Sequence, residues 1–298
     1  MCFSPGTCAG TLEYGIHTAT SNPHGVVAGP DGNLWFTEYV TNKIGRITIA
    51  GAFAEFTLPS AGSYPNYIAA GPDGNLWFTE RTANKIGCVT TSGSFTEFAI
   101  PTASASPEGI AVGPDNNLWF VEAQSHKIGR ITTAGAIVEF GIPTSTSIFG
   151  IAAGPDGNMW FTEGAGNIGR ITLTGTSVTE FPIPSANSGP MGIVKGPDGN
   201  LWFAEGNGNK IGKITTSGVF TEFAVPTTGS QPQNIVQGPD GNLWFTEWNG
   251  NKIGRVTPTG VFTEIAIPTA ACKLLGIAPG PDGNLWFTED VGNKIGRL

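Results

Sequence analysis

Apolar and polar positions along this chain alternate in short runs, each ended by a cluster of turn formers. One stretch reads as four β segments, Gly109–Val112, Asn117–Glu122, Lys127–Thr132 and Ile137–Ile142. Between such segments stand Pro-Asp-Gly-Asn or Pro-Asp-Asn-Asn, an Asn-Lys step, Ala-Gly or Ser-Gly, and a proline-rich return, all residues that favour reversal of an extended chain. The block Gly-Pro-Asp-Gly-Asn-Leu-Trp-Phe-Thr-Glu recurs with small changes and places Trp at 35, 77, 119, 160, 202, 244 and 286. The spacings are 42, 42, 41, 42, 42 and 42 residues, so there are seven units. Four short strands per period of roughly 40 to 45 residues mark the blade of a β-propeller. The predicted fold is therefore all-β, a seven-bladed β-propeller with four antiparallel strands per blade.

The two ends of the chain predict how the ring closes. The last unit starts at Leu275, and its third strand, Asn293–Arg297, runs into Leu298, leaving no fourth strand. Thr11–Ile16 (TLEYGI) matches the outer strand Phe95–Ile100 (FTEFAI). Residues 11–16 are thus expected to complete the blade formed by 275–298 and remove its open edge. The reading is a leader, residues 1–10, followed by one propeller, residues 11–298.

Composition narrows the function classes. The 44 Gly and 22 Pro among 298 residues are a density that long helices do not tolerate, which excludes a helical bundle. A net charge of -8, from 15 Lys and Arg against 23 Asp and Glu, cannot neutralise a run of phosphates, so nucleic acid is excluded as a partner. No window of 18 or more apolar residues is present to span a bilayer, and Met1–Gly10 has neither a basic n-region nor an apolar h-region. A soluble monomer is expected, with no membrane partner, either cytoplasmic or secreted with its signal removed.

Sorting charges by repeat position separates scaffold from exception. Each unit carries a Glu ending the Trp strand, a Glu in the outer strand and a turn Asp, which accounts for 21 of the 23 acids. Glu108 and Asp290 are left over. Among the bases, Arg81, Lys195 and Lys273 fall outside the repeated positions. A residue present in every blade serves what every blade needs, whereas a position that varies among near-copies is free to serve one site.

Two positions vary in this way, and strand alternation places both on one face, opposite the Pro-Asp-Gly turns. The start of the innermost strand holds His24, Asn66, Glu108, Phe149, Met191, Gln233 and Leu275. The residue after the repeated Glu is Tyr39, Arg81, Ala123, Gly164, Gly206, Trp248 or Asp290. Both rings should surround the upper mouth of the central channel, the concave place where a propeller holds a small molecule. His24, Glu108 and Asp290 are the candidate catalytic residues. His24 has the proton affinity of a general base or metal ligand, against the plainer reading of a hydrogen-bonded histidine lining a wet channel. For Asp290 the competing reading is a solvated loop carboxylate. Arg81 is suited to pairing an anionic group, or Glu108 of the next blade.

Substrate contacts are assigned to Tyr39, Asn66, Tyr67, Arg81, Phe149, Met191, Gln233, Trp248 and Leu275, many of them apolar. Ordinary plugging of the channel is their alternative. His17 and His126 read as surface substitutions. No CxxC pair or Ser-His-Asp order is present, and Cys2 and Cys8 are close enough to form a short disulfide.

The units GPDGNLWFTE, NKIGRITT and FTEFAIPT, with the step Pro23-His24-Gly25, resemble the virginiamycin B lyase (streptogramin B lyase) family over essentially the whole chain. The resemblance implies a seven-bladed propeller that opens a cyclic depsipeptide at its ester by elimination, with a His general base and Mg2+. His24 matches the family's Pro-His-Gly-Ile step. Three positions depart from the pattern. Asn22 stands where an acid precedes the Pro, Leu274-Leu275 stands for a second Pro-His on the preceding blade, and Tyr39 stands for an acid four residues after the Trp. The implied function is a carbon–oxygen lyase acting on a bulky, largely apolar small molecule, with Mg2+ as the cofactor the resemblance suggests; the residues themselves name no metal ligand. The alternatives are a secondary-metabolism cyclase or cycloaddition catalyst working without metal in the same mouth, and a non-catalytic binding or scaffold propeller.

Overall fold

The computed structural model describes residues 10–144 and 146–298; Cys2 and Cys8 lie outside them. Twenty-eight strands make seven four-stranded antiparallel sheets, and the described residues contain no helix. Blade 1 consists, from the channel outward, of Pro23–Ala28, Leu34–Glu38, Lys43–Ile47 and Phe53–Thr57. Blades 2 to 6 repeat that order, and blade 7 begins with Leu274–Pro279, Leu285–Glu289 and Lys294–Arg297. Its outer strand is Leu12–Gly15, paired Leu12 with Arg297 through Gly15 with Lys294. The ring closes as the sequence analysis predicts.

Inner strands start earlier than the turn residues suggest. In blade 3 the strand runs Pro107–Val112, so Glu108 belongs to it. Proline is tolerated at a strand's first residue, where its missing N–H costs no ladder bond. After that proline the ladder slips. Pro23 faces Glu38 while Val26 faces Phe36, and the same slip recurs in every blade. Such a one-residue bulge re-aims a side chain, and it falls here on the variable position of each blade.

The repeated residues account for the ring's cohesion. Trp35 is fully buried and packs with Ile44 of its own blade and Ile68, Leu76 and Phe78 of the next. Its indole N–H donates to Asp31 at 3.0 Å, its ring stacks on Phe56, and the Arg46 guanidinium covers both rings. Gly45 lies under the Phe36 ring, where a Cβ would come within 2.1 Å of Phe36 Cζ, so any larger residue would expel the aromatic. Outer-strand Glu55 accepts from Lys43 Nζ at 2.8 Å and from the Thr18 backbone at 3.1 Å, tying the incoming loop to the blade.

Candidate active site

Two threonines and a glycine fix the backbone at His24. The Gly25 N–H donates to Thr37 Oγ1 at 2.9 Å, the Thr37 hydroxyl donates to the Asn66 carbonyl at 2.6 Å, and the Thr288 hydroxyl donates to the His24 carbonyl at 2.8 Å. A Cβ on Gly25 would lie 2.9 Å from the Asn66 carbonyl oxygen, so glycine is what lets the inner strands of blades 1 and 2 approach this closely.

From this frame a polar chain crosses four blades. His24 Nδ1 lies 2.8 Å from Asn66 Oδ1, and the Asn66 side-chain amide donates to Glu108 Oε2. Arg81 Nε meets Glu108 Oε1 at 2.9 Å, and Arg81 Nη1 donates to the Tyr39 hydroxyl at 3.2 Å. Tyr39 closes the circuit by stacking on the His24 imidazole, with centroids 4.2 Å apart and planes 11° apart. On the other side His24 Nε2 is 3.7 Å from Asp290 Oδ1, which accepts from the Asn22 amide at 2.7 Å.

The polarity of this chain sets the histidine tautomer. Glu108 only accepts when ionised, so Asn66 must turn its NH2 toward Glu108 and its carbonyl toward His24. His24 then donates from Nδ1–H, which leaves Nε2 with its lone pair. Burial pushes the imidazole below its ordinary pKa, aided by the Arg81 charge and opposed by Asn66 and Asp290. The ring is neutral at neutral pH, the state a base requires. Burial also pushes the Glu108 carboxyl up to about 7, against Arg81 and Asn66. With the Arg81 guanidinium against one oxygen and the Asn66 amide donating to the other, the ionised carboxylate is the form this geometry accommodates.

The rest of the mouth is built differently. Phe149, Met191 and Gln233 line a cavity of about 500 Å³ together with Gly164, Gly206 and Gln231. Gly164 and Gly206 open it, since a Cβ on Gly164 would stand 3.2 Å from the Phe149 ring and one on Gly206 3.4 Å from Met191. A second hollow of about 290 Å³ lies over Tyr39 and Arg81, bounded by Thr82, Ser104, Ser106 and Gln124.

Of the remaining candidates, Trp248 and Leu275 belong to blades 6 and 7, between Gln233 and His24 in the ring. Trp248 is half-buried with the Lys273 ammonium 5.5 Å from its ring, and Leu275 is half-buried with its carbonyl accepting from Thr246. Tyr67 is half-buried, packs against the core shared by blades 2 and 3, and lies near the charges of Glu108 and Arg81. His17 is exposed and lies against Phe53. Asn22, which the sequence marks only as a missing acid, holds Asp290, and the cavity-forming glycines stand out only as the smallest members of a variable ring.

The resemblance implies Mg2+, which demands several hard oxygen ligands in near-octahedral geometry. Near His24, Glu108 is engaged through both oxygens and Asp290 Oδ1 is taken by Asn22. Among the described residues no group of three or more His, Cys, Asp and Glu side chains is placed to hold a metal. This donor set does not fit the ion.

Comparison with solved structures finds the same architecture. A streptogramin B lyase structure superposes with a TM-score of 0.92 at 37% identity, covering 96% of each chain. Virginiamycin B lyase from Staphylococcus aureus gives 0.92 at 40% identity over 97% of this chain and 98% of that one. So does a catalytically inactive His-to-Ala variant of the S. aureus enzyme with quinupristin. The virginiamycin B lyase family model matches residues 6–176 and 145–298. With that match spanning nearly the whole chain and the propeller shared end to end, the protein belongs to the virginiamycin B lyase family.

Proposed function

We propose that the protein is a lyase that opens streptogramin B-type cyclic depsipeptides at their ester by elimination, with His24 as the general base. The observation that carries this reading is the hydrogen bond from His24 Nδ1–H to Asn66, which leaves a neutral Nε2 at the upper mouth. In the reaction Nε2 takes the hydrogen from Cα, and the released electron pair forms a Cα=Cβ double bond. The Cβ–O ester bond breaks and its oxygen departs in a carboxylate. No water is consumed, and the proton passes from His24 to solvent. Asp290, 3.7 Å from Nε2, faces the imidazolium as it forms and favours it electrostatically.

Glu108 is a positioning residue here, acting through Asn66 on the tautomer. The cavity of Phe149, Met191 and Gln233 takes an apolar part of the substrate, with the Gln231 and Gln233 amides available to its peptide groups. Incubation with quinupristin in water labelled with 18O tests the chemistry. Elimination yields a linear product of unchanged mass and without label, whereas hydrolysis yields one a water heavier that carries it.

A second reading, a binding propeller without chemistry, is favoured by Asn22 and Leu275, which replace polar positions of the family pattern. It predicts quinupristin bound and recovered intact.

A further inference from the structure

Removing a proton from carbon next to a carbonyl places negative charge on the carbonyl oxygen, and that charge needs a fixed cation or donor. The carboxylates near His24 are engaged by Arg81, Asn66 and Asn22, so the donor set that would bring a metal to this oxygen is not assembled. The Arg81 guanidinium stands close to His24, joined to it through Tyr39 and through the Glu108–Asn66 pair. Arg81 is held by Glu108 at 2.9 Å, by Ser106 at 3.2 Å through Nε and by Tyr39 at 3.2 Å through Nη1, and Tyr39 in turn stacks on His24. Its side chain remains 42% exposed and borders the hollow of about 290 Å³, and among the described residues no protein acceptor takes its Nη2 donors. An arginine clamped on one edge and open on the other is a pre-organised anion donor, since its planar fork loses little freedom on binding.

We propose that Arg81 is a second catalytic residue, whose free Nη2 edge donates to the carbonyl oxygen that gains charge as His24 removes the Cα proton. The bonds made and broken are those of the elimination above, and no further reactant enters. Glu108 thus serves both members of the pair, aligning His24 through Asn66 and Arg81 directly. This inference rests on the lyase reading.

The test is quinupristin opening by wild type, Arg81→Met and Arg81→Ala, each checked by melting curve, with quinupristin affinity measured by calorimetry. Arg81→Met is expected to lower kcat by about a hundredfold, the scale of losing one oxyanion donor, while affinity changes only a few-fold. Guanidinium ion added to Arg81→Ala should restore part of the rate, and wild-type turnover should persist in EDTA. Full kcat in Arg81→Met overturns the proposal, as does loss of wild-type turnover in EDTA with recovery on adding Mg2+. If Arg81→Met fails to fold, absence of guanidinium rescue in Arg81→Ala overturns it instead. A wild type that binds quinupristin and never opens it overturns the lyase reading as well, whereas an active wild type with an indifferent Arg81 overturns this proposal alone.

Discussion

His24 Nδ1 and Asn66 Oδ1 stand 2.8 Å apart, and this contact decides which imidazole nitrogen is a base. The two residues occupy the same position in consecutive blades, 42 residues apart. The repeat therefore creates the interaction as well as the scaffold. Neighbouring inner strands bring equivalent bulged positions side by side, so a substitution in one blade finds its partner in the next.

Asn66→Leu removes the acceptor for Nδ1–H and one donor to Glu108. The unfixed imidazole should sample both tautomers, and kcat should fall by roughly tenfold, less than the loss of about a hundredfold or more expected when the base itself is removed. Asn66→Asp should act in another way. A carboxylate beside Nδ1 favours the imidazolium, so the acidic limb of kcat/KM should move to higher pH. The pair of pH profiles checks the assignment; a limb that stays in place in Asn66→Asp would show that His24 is not the titrating base.

In the wild type, burial lowers the His24 pKa below its ordinary value of 6.5. The neutral form is the base, so activity should be full at neutral pH and decline only as pH falls through that lowered value. A kcat/KM profile still climbing between pH 7 and 8 would contradict this.

The buried glutamates that end the second strands predict a separate effect on stability. Burial raises Glu38, Glu80, Glu122 and Glu289 to about 7 and Glu205 and Glu247 to about 8, with Glu163 also raised. Several lie against an outer-strand acid, as Glu38 does against Glu55 and Glu205 against Glu222. A carboxyl with a raised folded pKa binds more protons folded than unfolded, so its contribution falls as pH rises from about 4.5 through 7 to 8. The outer-strand acids Glu13, Glu55, Glu97, Glu139, Glu222 and Glu264 are lowered, so their contribution is lost only as pH falls below the ordinary carboxylate range. Thermal melting should therefore show higher Tm near pH 5 to 6 than near pH 8.5, and Glu205→Gln should narrow the gap. A Tm that rises steadily to pH 8.5 would refute the linkage.

Ring closure predicts the cost of trimming the N-terminus. Removing residues 1–16 takes Leu12–Gly15 from Lys294–Arg297 and Tyr14 from its stack on Trp286, 5.8 Å between centroids. It also takes away Ile16, which is buried in the core of blades 7 and 1. Tm should drop by several degrees, as a loss of a few kcal/mol requires in a chain of this size. An unchanged melting curve would mean that blade 7 is complete without this strand.

The fold was legible because the Trp35 block repeats seven times with its turn residues, and the closure because TLEYGI matches an outer strand. Glu108 and Asp290 were legible as acids that no blade needs. Their roles were not, because the chain from Asp290 through His24 and Asn66 to Glu108 joins side chains of four blades, one of them at the far end of the sequence. The bulge at the start of each inner strand was not legible either, because a one-residue slip exchanges the two faces of a strand and nothing in the local alternation marks where it falls. The cavity beside Phe149 is lined by Phe149, Met191 and Gln233, which the sequence assigns to the mouth; what was not legible is the part of Gly164 and Gly206, which act through what they lack.

The most direct test of the central claim is His24→Ala, with quinupristin turnover, quinupristin affinity and melting temperature measured on the same preparation as wild type. His24 as general base predicts kcat reduced by about a hundredfold or more, with affinity and Tm close to wild type, because the lost group moves a proton and contributes little contact. Ring opening by His24→Ala at the wild-type rate would contradict the account.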